Sequence, residues 1–445
     1  MHTIEDHAQA LEAGTISARE LVETSLARIA DPAGEGARAF IAVHAGQAQA
    51  MADAADTLRR AGRALSRYAG IPVGLKDLCD IKGDVTTAGS RVLADAAPAT
   101  AHAPVVARLV AAGFIPVGRT NMTEFAFSGL GINPHYGTPK IPWDRDAGRI
   151  PGGSSSGTAV AVADGMIVGG LGTDTGGSCR IPAAFCGVVG YKPTARRVPT
   201  AGVVPLSTSL DSIGPLANSV MCCAAMDAVM AGEDFSPPVA ASLTGLRLGL
   251  VENFFLDAMD ATVSATFDRA LIKLSAAGAR VVRMRLPVLD DYVAANTKGG
   301  FAAAEAYAWH RTLLARAGEK YDPHVRARIE RGAQQSAADF IDLLAARARI
   351  TAAANAATAG VDALVMPTTP IVPPRIADLD DEREYGRVNL LLLRNCAVGN
   401  FLDRCAISLP CHAPGEAPVG LMLVGETMGD AKLFSIARAV EAALV

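Results

Sequence analysis

Residues 150–193 read IPGGSSSGTAVAVADGMIVGGLGTDTGGSCRIPAAFCGVVGYKP. Two Gly-Gly-Ser triplets, Gly152-Gly153-Ser154 and Gly176-Gly177-Ser178, bracket a short apolar helix pattern and a glycine-rich strand pattern. A helix followed by a returning strand carries the second triplet back beside the first. Two serines then meet at one spot, in backbone that only glycine permits. That arrangement suits acyl transfer. A nucleophilic serine needs a proton acceptor within hydrogen-bond reach, and the tetrahedral intermediate needs backbone N–H donors aimed at its oxyanion. Glycines before Ser178 let successive N–H groups converge without interference from a Cβ.

Competing motifs sit in or near the same stretch. Gly153-Ser154-Ser155-Ser156-Gly157 fits G-x-S-x-G and would make Ser155 the nucleophile of an α/β-hydrolase, with His310, His324 or His412 as later triad members. That elbow needs a strand immediately before it, whereas Arg149-Ile150-Pro151 follows a loop rich in Pro, Asp and Arg. No GxxxxGK[ST] run is present, and no GxGxxG follows a strand with an acidic residue ~20 positions on, which disfavours phosphate-loop and dinucleotide sites. No histidine adjoins either triplet, though a remote one remains open as the base. The other candidate base is Lys76, which ends the run Gly70-Ile71-Pro72-Val73-Gly74-Leu75 and precedes Asp77. A lysine buried among apolar residues loses its charge readily and can act as a base. A surface lysine, or one paired with Asp77, would not.

Working outward, strand patterns alternate with helix patterns. Ser17-Ala18-Arg19-Glu20 is a capping box that opens a helix carrying Leu21, Leu26 and Ile29. The run 71–75 is a strand, 102–113 a helix with Pro104 in its first turn, and 114–117 a strand. Further on, 246–251, 280–285, 363–366 and 421–424 read as strands, with helices over 262–277 and from about 430. Residues 290–357 are Ala- and Arg-rich and helical, a candidate cap over one edge of the sheet. The alternation predicts an α/β fold with much parallel pairing. No Pro/Ser linker divides the chain, so 1–445 is expected to be one large domain: N-terminal helices over 1–65, a catalytic region over 66–235, and the cap within it.

Composition narrows the function. The chain has 445 residues, half of them apolar, enough for a sizeable core. Its net charge of −4 is spread without a basic stripe, which disfavours nucleic acid as a direct partner. No apolar run reaches the roughly 20 residues that a membrane helix needs. The opening MHTIEDHAQALEAG lacks the pattern of a secretory signal. The eight cysteines form no CxxC pair and no ligand spacing with histidine, so buried free thiols and a cytoplasmic setting are expected.

Taken together, these motifs resemble the amidase signature family. The resemblance rests on Gly152 to Gly157, on Gly-Thr-Asp-Thr-Gly-Gly-Ser-Cys-Arg at 172–180, and on Pro182 to Gly187. It extends through Tyr191-Lys192-Pro193-Thr194, the run Ser209 to Pro215, Gly74 to Asp77, the loop Asn133 to Pro139 and Pro418 to Leu421. It implies one large domain built on a mixed, mostly parallel sheet of about eleven strands between helical layers. It also implies roles. Ser178 matches the nucleophile, Ser154 the bridging serine and Lys76 the base. The N–H groups of Thr175, Gly176, Gly177 and Ser178 match the oxyanion hole. Ser155 would hydrogen-bond within the triad network. Asp174 and Arg180 would brace the loop as an ion pair, or Arg180 would face a substrate carboxylate. Phe125, Ala126, Ser128 and Tyr136 would contribute to the substrate pocket.

The implied activity is hydrolysis of a small-molecule amide with no metal and no cofactor, and a homodimer is compatible with it. The family's alternative is the glutaminase subunit of a tRNA-dependent amidotransferase. Lys192 to Arg197 followed by Val198-Pro199-Thr200-Ala201-Gly202 looks more like the stand-alone enzymes. Cys179 and Lys140-Ile141-Pro142-Trp143 depart from the usual pattern, outside the triad.

Overall fold

The strands near the middle of the chain bury both of their faces, which is why they read as continuous apolar runs. In the computed structural model, which describes residues 2–444, β1 (Phe40–Val43), β2 (Pro72–Lys76), β3 (Ile115–Thr120) and β4 (Gly169–Asp174) come first. They are followed by β5 (Val189–Lys192), β6 (Ser212–Ala217), β7 (Arg247–Val251) and β8 (Arg280–Met284). The last are β9 (Ala363–Pro367), β10 (Ala406–Pro410) and β11 (Gly420–Val424). All eleven form one sheet in the order β1-β3-β2-β4-β6-β5-β10-β11-β9-β7-β8. The end positions of the expected 1–445 domain, 1 and 445, lie outside the described residues.

Side chains alternate between two cores, as the pleat requires. Ala363 and Val365 of β9 and Leu421 and Leu423 of β11 point into one apolar cluster. Leu364, Met366, Met422 and Val424 point into the other. Cap residues Leu289, Phe301, Leu343 and Ile350 pack in that second cluster with Val251, Leu364 and Met366. The cap comprises the helices Val288–Ala295, Gly300–Ala317, Pro323–Glu330 and Ala337–Thr358. At the N-terminal end, the Ser17 capping box forms as read, the Glu20 carboxylate accepting the Ser17 N–H at 2.8 Å.

Two expectations need correction. The sheet is mixed, but it is not mostly parallel: four neighbouring pairs are parallel and six antiparallel. Pairing is parallel where a helix crosses over, as Pro104–Ala111 does between β2 and β3 and Ala261–Ala276 between β7 and β8. In the middle, β6 slips between β4 and β5, and β10 turns straight into β11, connections that need only loops. The segment 1–65 is also not wholly helical, since it supplies edge strand β1, antiparallel to β3. Among the described residues no helix is long and apolar enough to cross a membrane. None of the eight cysteines is paired, and seven are buried.

A glycine in β5 sets how closely the helix Arg180–Cys186 approaches the sheet. A Cβ on Gly190 would lie 2.3 Å from the Cys179 carbonyl oxygen and 2.5 Å from Ala183 Cβ. The carbonyl is main chain and cannot turn aside. Gly190→Ala is therefore expected to lower stability by about 1–3 kcal/mol and to push the helix that follows Ser178 off the sheet. Urea unfolding measures the first effect; a midpoint equal to that of the unaltered protein would show that the helix is not held so tightly.

Candidate active site

Lys76 closes β2 and is fully buried. Its Nζ donates to Ser154 Oγ and to Thr173 Oγ1, each at 2.8 Å. Asp77, the alternative partner, points elsewhere: its carboxylate takes Arg119 Nε, the Thr87 hydroxyl and, at 2.9 Å, the Gly89 N–H. Among the described residues no carboxylate lies within 4.0 Å of Lys76 Nζ. Burial therefore dominates, penalising the ammonium, and only the longer-range pull of Cys179, Cys79, Asp174 and Asp211 opposes it. The outcome is a lysine pushed down to about 8. At 1.36 kcal/mol per unit, that is about 3 kcal/mol against the charged form.

The triplets meet as the helix–strand reading predicts. The helix Ser156–Ala163 and β4 separate them, and Ser155 N–H reaches the Ser178 carbonyl at 3.3 Å. The Gly153–Ser154 peptide is cis. Ser154 is fully buried beside Lys76, and Ser178 lines a cavity. Ser178 Oγ makes no hydrogen bond to Ser154 or to any other described residue, so the Lys76–Ser154 link is in place and the Ser154–Ser178 link is open. Ser155 is turned away. Its hydroxyl engages the Thr173 backbone at 3.4 Å on both sides, stitching the loop to β4 rather than joining the triad hydroxyls. It does not line the cavity, which removes the geometry that an α/β-hydrolase elbow requires.

The histidines stand apart as well. His310 Nδ1 pairs with the Tyr321 hydroxyl at 2.9 Å, His324 stacks on Tyr385, and His412 meets the Val419 backbone.

Asp174 and Arg180 are both fully buried and pair at two points, 2.8 and 3.0 Å. The guanidinium thus points to the loop carboxylate and does not line the cavity. Its Nη2 also donates to Asn400 Oδ1 at 2.7 Å. Burial opposes the charge on Asp174, but Arg180, then Lys192 and the Asn400 amide, hold its carboxyl well below the usual carboxylate range. The same carboxylate accepts the Gly177 N–H at 2.8 Å and the Cys179 N–H at 3.1 Å.

Gly177, at φ 128°, is thereby corrected as an oxyanion donor, because its N–H is already taken. The N–H groups of Thr175, Gly176 and Ser178 have no acceptor among the described residues. Thr175 is fixed through its side chain, which donates to Asp211 at 2.5 Å. Burial pushes the Asp211 carboxyl up to about 6, against the hydrogen bonds from Thr175, Ser207 and Leu206.

The cavity holds about 450 Å³ and combines core and cap: Ala126, Ser128, Thr175, Gly176 and Ser178 on one side, Tyr292, Phe301 and Arg328 among those on the other. Ala126 and Ser128 are placed as expected. Phe125 and Tyr136 are not. Phe125 is buried against His310, 4.4 Å between ring centroids, because its backbone turns at φ 49°. Tyr136 sits in a turn held by Asn133 Oδ1, outside the cavity. A wider cleft of about 920 Å³ lined by Arg196, Arg347 and Asp403 contains none of the three serine and lysine positions.

Sequence reasoning missed Thr173, Asp211 and Asn400, and the cavity arginines Arg328, Arg331 and Arg394. The first two lie within the quoted motifs, where they were open to notice. Among the described residues, no group of three or more His, Cys, Asp or Glu side chains is arranged to hold a metal ion.

Comparison with known proteins shows the family. The family model described as Amidase matches residues 20–434. The 2-amino-5-chloromuconic acid deaminase of Comamonas testosteroni is 39% identical over 403 residues, covering 89% of this chain and 86% of its own. A glutamyl-tRNA(Gln) amidotransferase subunit of Synechococcus sp. (strain CC9605) is 34% identical, covering 99% of this chain and 96% of its own. A solved amidase crystal structure superposes with a TM-score of 0.90 at 31% identity, covering 100% of both chains. With one family model running through the sheet and both Gly-Gly-Ser triplets, the chain belongs to the amidase family and is a hydrolase of carbon–nitrogen bonds.

Proposed function

We propose that Ser178 attacks the carbonyl of a small amide, that Ser154 and Lys76 relay its proton, and that the acyl part of the substrate is anionic. The observation that carries the reading is Lys76. Among the described residues it is buried without a counter-ion, it bonds to Ser154, and burial pushes it down to about 8. In the reaction, neutral Lys76 takes a proton from Ser154, which takes one from Ser178 as that hydroxyl turns toward it. The new Ser178–carbon bond forms while the oxygen charge gathers at the N–H groups of Thr175, Gly176 and Ser178. Asp174 and Asp211 act at one remove by fixing that loop. The relay hands the proton to the departing nitrogen, the C–N bond breaks, and water cleaves the acyl-enzyme along the same path reversed.

Support for an anionic substrate comes from Arg328. Its Nε is shut off from solvent and has no hydrogen-bond partner, and its guanidinium lies 4.8 Å over the Phe127 ring at the cavity wall. A buried donor left unpaired is costly and is satisfied by a bound acceptor. The relative named for deamination of 2-amino-5-chloromuconic acid acts on an acid, in keeping with this. A second reading, a glutaminase subunit supplying ammonia to a partner, draws on the amidotransferase relatives. Glutaminase activity appearing only with a partner protein would favour it.

Ser178→Ala is expected to lower amide turnover by about 10⁴-fold or more with an unchanged fold. A serine-directed phosphonate should label Ser178 alone; mass-spectrometric mapping of the label to Ser155 would overturn the assignment.

The pH profile follows from Lys76. A base works only when unprotonated, so kcat/KM should rise with pH through an apparent value near 8 and level off above it. Lys76→Ala should remove that limb and cost about 10²–10⁴-fold with amides, and less with esters, whose leaving group needs less proton assistance. Steady-state rates across pH check this, and an unchanged profile in Lys76→Ala would send the search for a base elsewhere.

A further inference from the structure

Three arginines, Arg328, Arg331 and Arg394, line the cavity beside Ser178, and no Asp or Glu does. The chain as a whole has the opposite balance, 45 acidic residues against 41 basic. Among the described residues none of the three has a carboxylate within 4.0 Å. Arg328 serves the single anion of the reading above, so two cations are left without a task.

Both retain free donors. Arg331 spends one N–H on the Thr297 carbonyl at 2.9 Å. Arg394 donates to Asn395 Oδ1 at 3.0 Å and to the Phe255 carbonyl at 3.3 Å, and among the described residues its Nη1 has no acceptor. Burial disfavours the charge on Arg394, and Asp257 opposes this only from beyond ion-pair range. Burial likewise disfavours the charge on Arg328; Tyr385 opposes this, and Arg331, three positions later, adds a smaller push in the same direction as burial.

Position argues against a purely structural role. Arg394 lies on the helix Glu382–Phe401, next to Leu393. Leu393 and Ala397 of that helix stand over the nucleophile loop: a Cβ on Gly176 would be 3.5 Å from one and 3.9 Å from the other. Arg331 comes from the cap, at the end of the helix Pro323–Glu330. Two separate elements thus bring unpaired guanidinium groups to one cavity. Arg394 is partly buried and Arg331 more open to solvent; like charges lining one cavity favour an anion between them, and the planar guanidinium fork matches a carboxylate. Apolar walls such as Phe254 and Leu390 focus the resulting field into the cavity.

We propose that the substrate is the monoamide of a polycarboxylic acid with at least two free carboxylates, one bound by Arg328 and a second by Arg394 and Arg331. This rests on Ser178 being the amide-cleaving residue. It adds a specificity site on cap and core that reads the second carboxylate.

The test compares succinamate, with one carboxylate, and the monoamide of propane-1,2,3-tricarboxylic acid, with two. Calorimetric binding is measured on the Ser178→Ala protein, and kcat/KM on the active one. The dianionic amide should bind about tenfold tighter or better, and added salt should erode that margin more than it weakens succinamate binding. Arg394→Gln should abolish the margin while weakening succinamate much less, and Arg394→Lys should restore part of it. Equal binding of the two amides, or an equal loss for both in Arg394→Gln, overturns the proposal. Because binding is read without turnover, failure of the nucleophile assignment is separable: it would show as catalysis surviving Ser178→Ala, whatever the charge preference.

Discussion

The Asp174 carboxylate is the point on which the Ser178 loop hangs. It sits at the end of β4, out of water, and takes two N–H donors from Arg180, one from the Asn400 amide, and the main-chain N–H groups of Gly177 and Cys179. One carboxylate thereby joins the strand, the loop that carries Ser178, the helix that follows it, and the distant helix Glu382–Phe401. A buried pair of this kind is weak evidence for stability, since desolvation offsets much of the attraction, but removing one partner leaves an uncompensated charge. Its value here is in direction. With Gly177 N–H drawn back to Asp174, the neighbouring N–H groups of Thr175, Gly176 and Ser178 are left free on a loop that cannot relax.

Basic side chains in the same core are treated in opposite ways. Arg180 is paired at every turn and keeps its charge. Lys192, fully buried, has the Pro193 carbonyl at 2.7 Å as its hydrogen-bond acceptor and lends its field to Asp174. Lys76 is given only two hydroxyls, Ser154 and Thr173. Burial with hydroxyl partners and no carboxylate is what suits Lys76 to the proposed role of base. Thr173 matters because it fixes the Nζ position without restoring the charge that an acid would restore.

Around this rigid centre the cavity is assembled from pieces far apart in the chain. The floor is the loop that follows β4, and the walls come from the cap and from the helix Glu382–Phe401. Glu124 links the two layers: fully buried, it accepts the Asp322 N–H from the cap at 2.8 Å while binding Ser90 and His135 of the core. In the proposed function the chemistry thus rests on the sheet, and the choice of substrate on the cap.

By itself the sequence determined the centre and most of the elements. The Gly-Gly-Ser triplets, the helix and strand between them, and the apolar run ending at Lys76 are local patterns. Period, glycine content and burial of a short segment are properties that neighbouring residues settle among themselves. Tertiary structure decided the rest. Whether a strand pairs parallel or antiparallel depends on which strand slips in beside it, as β6 does between β4 and β5. Whether Gly177 offers its N–H to substrate depends on where Asp174 points. Phe125 and Tyr136 looked available near the site, yet one backbone turn buried the first under the cap and a side-chain-capped turn held the second outside. Arg328 and Arg331 were lost in a helical stretch with many arginines, and Arg394 lay beyond it on the helix Glu382–Phe401, because facing a cavity is not a property of the residue. It is set by the packing of elements more than a hundred residues from Ser178, and only the folded chain brings their unpaired charges to the serine.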